Sequence, residues 1–375
     1  MTQENSSNNH KLFIDGDEVL ASSSGRVVFP GNNQINTLNA KISNVDLQNK
    51  PLFNKKVELY LNESGMEDTM PIFRGFIKQF SHTDTNTSIV AGDVRTVLTG
   101  KEGIKDNFDN DNNADGKSVA QYLYGIIKDK VNYDNTVIGL DMLRDSNPPV
   151  FMTGVRGENL DVYNTVINTL KKSVDDDNFT NPLSSFLDVY EGVNHSNITI
   201  VKDKLLTTAP SHVFSYNNGI SSIRYKRRNP PNTVYYKGRV EKYTSRPTGQ
   251  VSIDIADIED VGDSRNLALQ EILVAQQQKD DIRLQTTKAY DIAIGSIIQL
   301  DVSDDDVSGH HRVQGKTITF GKGMDCILDI KKKLGMTANV SKDGKLISGI
   351  HSRHGVEERA GTITVRTSAD DPDPV

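Results

Sequence analysis

The amino-acid sequence predicts a mainly β protein with α+β insertions, built from two barrel-like β-domains and small helical or mixed segments. Apolar and polar residues alternate in many short runs, such as 57–61 (VELYL), which is the period-2 pattern of a half-buried strand. Clusters of Gly, Asn and Asp separate these runs and supply the turns between strands. Helical amphipathic patterns occur at only three places, so strands dominate the predicted architecture.

The second β-domain is predicted from residues 282–331. Three β-prone runs lie there, at 289–302, 311–320 and 326–330. An acidic loop at 304–309 and two glycines at 321 and 323 divide them, as turns divide the strands of a meander or small barrel.

Length and composition limit the classes of protein that the chain can represent. Its 375 residues are enough for two or three domains with real cores. Only 35% of the residues are hydrophobic and there is no Trp, which favours several small β-rich modules completed by partner chains. The net charge of −7 argues against a dedicated nucleic-acid binder, which needs a basic face for phosphates.

Cysteine content and segment hydropathy give further expectations. Cys326 is the one cysteine of the chain, which excludes an intrachain disulfide and a Cys-based zinc site. Its setting favours a small buried strand residue over a reactive thiol. No run approaches the roughly 18 apolar residues of a membrane-spanning helix. Residues 1–10 lack the apolar region of a signal peptide, so synthesis and folding in a cytoplasm are expected.

The predicted organisation follows the chain in order. The segments are a disordered N-terminus at 1–10, a first β-barrel-like domain at 11–100, an α+β insertion at 101–215, linking strands at 216–262, a helix plus second β-barrel-like domain at 263–331, and a C-terminal extension with a loose acidic tail at 332–375.

Several local features refine this map. Gly75, inside the strand predicted at 71–80, indicates a bulge or tight bend. Residues 101–115 are expected to form a charged loop. Helices are predicted at 118–131, 159–173 and 263–279, and the first has a stripe of inward residues at Val119, Tyr122, Leu123, Ile126 and Ile127.

No catalytic motif is present, and no catalytic, cofactor-binding or metal-binding residue is predicted. The chain lacks a G-x-S-x-G elbow, an H-E-x-x-H helix and a P-loop. His310 and His311 beside 304–306 are a metal candidate, but a solvated hairpin tip is the favoured interpretation because the spacing is not that of an EF-hand. His351 and His354 near 357–358 are a weaker candidate. The acidic runs at 109–111 and 175–177 are interpreted as loop charges.

A basic run with neighbouring tyrosines allows three interpretations. Arg224, Lys226, Arg227 and Arg228 lie close in sequence to Tyr225, Tyr235 and Tyr236. Such a surface can bind single-stranded nucleic acid by stacking. An alternating strand with one solvated face is favoured instead. A partner surface or channel lining is the third interpretation.

The order of the elements resembles the tail-hub or baseplate-hub family of tailed viruses and related contractile injection systems. The motifs concerned are 57–61 followed by 72–77 (IFRGFI), 157–170 for a small-domain helix, 220–238 for a Pro-Asn link, and 295–298 with 312–320 for a second barrel. The resemblance covers 11–331. It does not extend to a lysozyme or a β-helical spike after residue 331, and the loop at 101–116 has no counterpart.

The resemblance implies a structural virion protein rather than an enzyme, without cofactors. Three subunits with two barrels each would form a pseudo-six-fold ring that adapts a six-fold tail tube to a three-fold spike or tip. DNA would pass through the ring without sequence-specific binding, and the protein would be assembled in the host cytoplasm and reside in the virion tail. The alternative is a tail-associated cell-wall hydrolase or a glycan-binding protein.

Two interpretations remain for residues 332–375. Short strands are predicted at 345–347 and 362–365, which have too little apolar area to fold alone. They could dock a spike protein by strand addition at 332–367, with 368–375 mobile. A disordered tail is the equally weighted alternative.

Overall fold

The computed structural model describes most of the β-structure of the chain. The described residues are 9–20, 22–31, 34–43, 47, 50–63, 66–67, 70–99, 104–108, 119–130, 138–139, 157–172, 185–202, 209–227, 233–236, 239–242, 250–252, 280–287, 289–303, 307–321, 323–331, 335–340, 345–351 and 362–364.

Strands account for most of these residues, which confirms the prediction of a mainly β protein. In the first half of the chain they are β1 His10–Ile14, β2 Asp17–Glu18, β3 Ser23–Phe29, β4 Thr37–Ile42, β5 Lys56–Glu63, β6 Met66–Glu67, β7 Phe73–His82, β8 Thr87–Asp93, β9 Lys105–Phe108, β10 Ile138–Gly139 and β11 Gly157–Asp161. They continue as β12 Ser185–Glu191, β13 Ser196–Lys202, β14 His212–Ser215, β15 Ile220–Arg227, β16 Thr233–Tyr236, β17 Arg239–Lys242 and β18 Gln250–Ser252. The last strands are β19 Asp280–Thr286, β20 Ile297–Asp301, β21 Gly309–Phe320, β22 Asp325–Lys331, β23 Gly335–Val340, β24 Lys345–His351 and β25 Thr362–Thr364.

The described helices are few and short. A 3-10 helix spans Val94–Val97, and two α-helices follow, α1 Val119–Lys130 and α2 Val162–Lys172. No described helix is long and apolar enough to cross a membrane.

One large sheet contains strands from both segments that were predicted to be β-domains. Its strands run in the order β15-β19-β22-β21-β3-β4-β8-β7-β5-β1-β2, with β20 beside β21 and β14 parallel to β20. The two halves meet where β3 pairs with β21, for example Val27 with Ile318. We call the strands β1–β8 the first block, and β14, β15 and β19–β22 the second block. Among the described strands the pairing path is open, so the expected closure into two barrels is not observed.

The other described strands form four smaller sheets. β10 and β12 both pair with β13, β11 pairs with β9, β17 and β18 pair with β16, and β23 and β25 pair with β24. β9 occupies part of the segment predicted to be a charged loop at 101–115, so that prediction is wrong there. The polar run Lys105–Phe108 forms a strand because β11 supplies its backbone partners.

The start of the first block is organised by a tight hairpin. Asp15 and Gly16 have φ angles of 56° and 90° and join β1 to β2, as a two-residue turn with positive φ requires. The sequence predicts a strand at 11–19 that is broken at 15–17, and this turn confirms the break. β1 begins at His10, inside the segment predicted to be disordered; residues 1–8 lie outside the described part of the chain.

Gly75 has a different role from the predicted bulge. A Cβ at this position would stand 2.1 Å from the carbonyl oxygen of Gly92, so the glycine permits close approach of β7 and β8. The register shift of β7 lies further along the strand, between Ile77 and Gln79. The strand signal was correct and the position of the irregularity was wrong.

The helix predicted at 118–131 is confirmed, and the one predicted at 159–173 begins later. All five stripe residues of α1 are buried. The segment Gly157–Asp161 is a strand, and α2 begins after Asp161, whose carboxylate accepts a hydrogen bond from Asn164 N at 2.7 Å. That bond is the N-cap interaction of a helix starting at Val162. The helix predicted at 263–279 lies outside the described residues.

Two predicted strands are shorter than expected. In the segment 289–302, turns close at Ala289–Ile292 and Ala293–Ser296, and the strand begins only at Ile297. The sequence also predicts one strand over 88–99, but the strand ends at Asp93, whose side chain caps the following 3-10 helix. In both places a local turn forms hydrogen bonds with backbone N–H and C=O groups that would need a neighbouring strand as partner if the strand continued.

The buried apolar residues form two clusters. The larger is shared by the two blocks, with residues such as Leu38, Ile77, Leu284 and Ile318. The smaller lies under α1 and α2 and includes Leu187, Ile198 and Ile200 of the β12–β13 hairpin. The hairpin therefore contributes to the core of the insertion while it also contacts the main sheet.

Candidate functional site

The most unusual arrangement of side chains surrounds the β12–β13 hairpin. Two buried arginines, Arg74 on β7 and Arg95 in the 3-10 helix after β8, bind backbone carbonyls of this hairpin at two separate positions. Arginine is seldom fully buried unless it is paired. Here both guanidinium groups are 1% exposed, and each has a carboxylate partner.

Arg74 holds the turn of the hairpin. Its Nε donates to Glu58 Oε1 at 2.6 Å, and its two terminal nitrogens donate to the carbonyls of Gly192 at 3.3 Å and Val193 at 3.1 Å. Arg74 and Glu58 are also cross-strand partners of β7 and β5. The planar fork of the guanidinium satisfies two turn carbonyls and one carboxylate at the same time. We call Arg74, Glu58, Glu191 and Ser196 the Arg74 joint.

Arg95 holds the middle of the hairpin. Its Nη2 donates to Asp93 Oδ2 at 2.6 Å, its Nη1 to the carbonyl of Leu187 at 2.7 Å, and its Nη2 also to the carbonyl of Gln34 at 2.9 Å. Asp93 in turn accepts from Asn36 N at 2.8 Å. Burial lowers the pKa of Arg95, but the charge of Asp93 more than offsets this, so Arg95 remains a cation and the pair is a fixed structural contact.

Glu191 completes the Arg74 joint. Its Oε1 accepts from Arg74 N at 3.3 Å, and its Oε2 accepts from the Ser196 hydroxyl. Burial raises the pKa of Glu191 to about 7, although the bonds from Ser196 and Arg74 oppose the rise. Burial likewise raises the pKa of Asp188, on the same hairpin.

The same hairpin touches the second block through Phe186. A Cβ on Gly295 would stand 3.1 Å from the Phe186 ring, and the Arg312 guanidinium lies 5.7 Å from the ring centroid. Burial lowers the pKa of Arg312 to about 10. Phe186 therefore packs against the loop before β20 and against β21, which links the hairpin to both blocks.

A buried lysine secures the loop before β20. Lys316 Nζ donates to the carbonyls of Tyr290 at 2.7 Å and Ile292 at 2.8 Å, and it lies 4.7 Å from the Phe29 ring centroid. Burial lowers its pKa. These contacts join β21, the 289–295 loop and β3 at the seam between the blocks.

The predicted metal candidates are not brought together by the described residues. His311 is buried, and its Nε2 bonds the carbonyl of Val307 at 2.6 Å, whereas Asp304–Asp306 lie outside the described residues. His351 ends β24, and 354 and 357–358 are likewise outside, as are 109–111 and 175–177. Among the residues that the structure describes, no three potential ligands cluster around a common point.

The basic run forms an alternating strand, which confirms the favoured interpretation for its described part. Arg224 and Lys226 are exposed on β15, while Tyr225 between them packs against the main core. Lys226 pairs in register with Asp281 of β19. Tyr235 and Tyr236 lie on β16, and Arg228 is outside the described residues.

Cys326 is a buried strand residue, as predicted. It is 0% exposed, and its Sγ lies 3.6 Å from the carbonyl of Ala289. Burial raises the pKa of its thiol to about 12, the reverse of what a nucleophilic cysteine needs.

The important residues missed by the sequence analysis are the buried cations. A signal was present for Arg74, because it and Glu58 lie inside two apolar runs that were predicted to be strands of one domain. Arg95 has a local partner in Asp93, but the carbonyls of Leu187 and Gln34 that it also binds lie on distant segments. Lys316 likewise binds the carbonyls of Tyr290 and Ile292, and such backbone partners leave no mark in the sequence.

Comparisons with known proteins place this fold among tail proteins. No family model matches the chain, and no curated protein matches it at the level of sequence. A tail protein from Neisseria meningitidis matches with a TM-score of 0.60 at 10% identity, covering 87% of this chain and 97% of the other. A 43 kDa prophage tail protein from Shewanella oneidensis matches with a TM-score of 0.56 at 9% identity, covering 86% and 96%.

A third similar structure comes from a secretion machine. It is an Escherichia coli component of the type VI secretion system, described as structurally similar to bacteriophage tail proteins. The match has a TM-score of 0.51 at 9% identity and covers 94% of this chain and 91% of the other. At these identities the likeness concerns the fold. The predicted resemblance to tail-hub and baseplate-hub proteins is thus confirmed as a resemblance of fold.

Proposed function

We propose that this chain is a structural component of a phage tail or baseplate, or of a related contractile injection system, and has no catalytic role. The observation that carries the proposal is the extent of the fold match. Nearly the whole of the Neisseria tail protein, 97%, aligns with 87% of this chain. One fold can host unrelated functions, so the likeness supports the proposal through its extent: it covers nearly all of both chains and is not limited to a single shared module.

The buried charges support a scaffold. Arg74 and Arg95 donate hydrogen bonds to backbone carbonyls of the β12–β13 hairpin and to carboxylates. Lys316 donates to backbone carbonyls of the loop before β20. These bonds attach one hairpin and one loop to a continuous sheet. Catalytic groups need access to a substrate and a partner that takes or gives a proton. These three side chains are buried, and their bonds to the hairpin and the loop occupy donors that a substrate would otherwise need.

The finer proposal is a hub. Each chain carries two β-blocks, so three chains around a three-fold axis supply six, which matches a six-fold tail tube on one side and a three-fold spike on the other. Several large apolar side chains are exposed in the single chain and are candidates for subunit contacts: Leu20, Phe53, Tyr190, Val193 and Tyr216. DNA would pass through the ring, and the protein would reside in the virion tail.

Mass measurement and electron microscopy test this proposal together. We expect the purified chain to form trimers as its concentration rises, and particles to show a three-fold ring at the tail end. A stable monomer at high concentration, with no such ring in particles, would refute the hub. A zymogram on cell walls tests the hydrolase alternative, for which we expect no cleared band.

DNA binding gives an independent test of the channel. We expect weak binding without base preference that decreases steeply as salt is added. Tight, sequence-selective binding at about 0.15 M salt, where charges are screened beyond roughly 8 Å, would contradict a channel through which DNA passes.

The C-terminal extension is proposed to dock a spike or tip protein. β23, β24 and β25 form an antiparallel three-stranded sheet, and β23 and β25 each pair with β24 alone among the described strands. Strand addition at such an edge uses main-chain hydrogen bonds. Truncation after residue 334 should leave ring formation intact and abolish spike capture. Unchanged capture would contradict the docking role.

A further inference from the structure

The two ends of the main sheet expose charges of opposite sign. The pairing path begins at β15 and ends at β2, and among the described strands β15 pairs with β19 alone and β2 with β1 alone. The outer edge of such a strand presents backbone N–H and C=O groups that have no neighbouring strand. The β15 edge exposes Arg224 and Lys226, whereas the β2 edge exposes Asp17 and Glu18.

The positive charge of the β15 edge is not balanced by its own sheet. Arg224 stands directly opposite Arg283 of β19, and like charges in directly opposed positions repel each other. Arg283 donates to Asp329 Oδ1 at 2.8 Å on the side away from β15, so this carboxylate is already engaged. Within the described part of the chain no carboxylate forms an ion pair with Arg224. This row of charges therefore lacks a counter-charge at its outer end.

The negative charge of the β2 edge is in the same position. Asp15, in the turn before β2, pairs with Lys55 at 2.5 Å. Asp17 and Glu18 instead lie opposite two apolar residues of β1, which offer no cation. Both side chains are exposed, so in a single chain water alone solvates the two carboxylates among the described residues.

These charges determine which edges of two copies can approach each other. Two β15 edges would bring basic side chains together, two β2 edges would bring carboxylates together, and both arrangements are unfavourable. The β15 edge of one copy and the β2 edge of another bring opposite charges together. A contact between two different surfaces of the same chain is heterologous, and it generates a ring when the rotation between copies closes.

Each edge also has an exposed apolar side chain close by in the chain. Leu20, two residues after β2, is 85% exposed, and Tyr216, in the turn before β15, is 62% exposed. Burial of apolar surface supplies affinity in an interface, whereas charges at its rim supply orientation and the choice of partner. The two edges therefore carry both kinds of group that a specific contact between subunits needs.

We propose that the β15 edge of one chain binds the β2 edge of a second copy, with Arg224 and Lys226 facing Asp17 and Glu18. The inference rests on the proposed hub and names the surface that joins neighbouring subunits of its ring. Three copies joined in this way make three identical contacts, so every β15 edge and every β2 edge is covered. The alternative role of such charges is to keep sheet edges from pairing at all, and it predicts that they have no effect on assembly.

Charge reversal in the full-length chain tests the contact. Sedimentation velocity over a range of concentrations would be measured for the wild type, for Asp17→Lys/Glu18→Lys and for Arg224→Glu/Lys226→Glu. Each double variant places like charges across the contact, so we expect the dissociation constant of its trimer to rise by about tenfold or more. The variant with all four changes again places opposite charges across the contact, and it should return to within about threefold of the wild type.

A matched control and four outcomes make the test decisive. Asp84→Lys/Glu158→Lys reverses two exposed carboxylates of the β7–β8 turn and of β11, and it should associate as the wild type does. If the wild type forms trimers and either edge variant does so equally well, the paired edges are overturned while the hub stands. Failure of the four-fold variant to regain association would overturn them in the same way. A wild type that stays monomeric at every concentration would overturn both proposals.

Nucleic acid is the other class of partner that a basic edge can bind. Retention of a single-stranded oligonucleotide would therefore be measured with the same variants. If Arg224→Glu/Lys226→Glu loses this retention but still forms trimers as the wild type does, the β15 edge serves nucleic acid and the contact between copies is wrong. Loss of trimers in both edge variants, with recovery when all four charges are reversed, is the result that we expect.

Discussion

Gly31 lies directly against Gln314, so that a Cβ on the glycine would stand 1.9 Å from the Gln314 carbonyl oxygen. Gly31 follows β3, and Gln314 is the extra residue where the pairing of β21 with β22 shifts register. The contact lies at the seam where the two blocks join into one sheet. It explains why the chain needs a residue without a side chain here, with a φ of 64°.

Gly31→Ala should destabilise the protein by about 2–5 kcal/mol. The added methyl group must displace backbone, and overpacking typically costs about 1–3 kcal/mol, to which the left-handed conformation adds about 1–2 kcal/mol. The free energy of unfolding in denaturant measures this loss. Gly323→Ala is the matched control, because a Cβ there meets nothing within 4 Å. Equal midpoints for the two variants would contradict the close seam.

Gly125→Ala should stabilise the protein. Gly125 lies inside α1, where a Cβ would meet nothing within 4 Å. Alanine in a helix interior is favoured over glycine by about 0.5–1 kcal/mol. Thermal unfolding should show a higher midpoint than in the wild type. A lower midpoint would mean that this face of α1 contacts another part of the chain.

Leu123→Asp should destabilise the insertion by several kcal/mol, because Leu123 is 0% exposed in the smaller core and the charge would have no partner. Lys128→Ala, on the exposed side of the same helix, should cost less than about 0.5 kcal/mol. Far-ultraviolet circular dichroism during denaturation separates the two variants. Similar curves would show that α1 is not packed as described.

The buried and exposed sides of α1 also show which features the sequence could predict. A stripe of five apolar residues specifies a helix and its buried face, because both are properties of neighbouring residues. The turn at Asp15 and Gly16 was predictable for the same reason. The pairing of β3 with β21 was not predictable, because the paired residues are about 290 positions apart in the chain. The apolar pattern of each strand is also compatible with many other partner strands.

The charged joints show a second limit of sequence reasoning. The sequence does not predict that Arg74 and Arg95 are buried, because an arginine in a strand is ordinarily solvated. Their burial depends on carbonyls of the β12–β13 hairpin, more than 90 residues away in the chain. The Asp161 N-cap, by contrast, was a local signal that would have placed the start of α2 correctly.

Asp93→Asn should cost about 3–5 kcal/mol, because it leaves the Arg95 guanidinium buried without a counter-charge. Asp329→Asn is the matched control. Asp329 pairs with Arg283 at 2.8 Å, but the two side chains are 42% and 66% exposed, and such surface pairs contribute about 0–1 kcal/mol. Unfolding free energies of the two variants and the wild type give the comparison. A loss for Asp93→Asn no greater than that for Asp329→Asn would show that solvent reaches Arg95.

The Cys326 thiol should be inert in the folded protein and should report its unfolding. Its pKa is raised to about 12 by burial, so the thiolate population at pH 8 is roughly 10⁻⁴ of the total, and the strand geometry of β22 denies access to a reagent. An aromatic disulfide reagent at pH 8 should therefore label the native protein only as fast as the second block opens.

Adding denaturant should raise the labelling rate of Cys326 in step with the loss of secondary structure. Gly31→Ala should also raise the labelling rate in native buffer, because the strands of the seam and Cys326 share the larger core. Leu123→Asp should have a smaller effect, since α1 lies over the other core. Rapid, complete labelling of the wild type without denaturant would show that β22 is not held between β19 and β21.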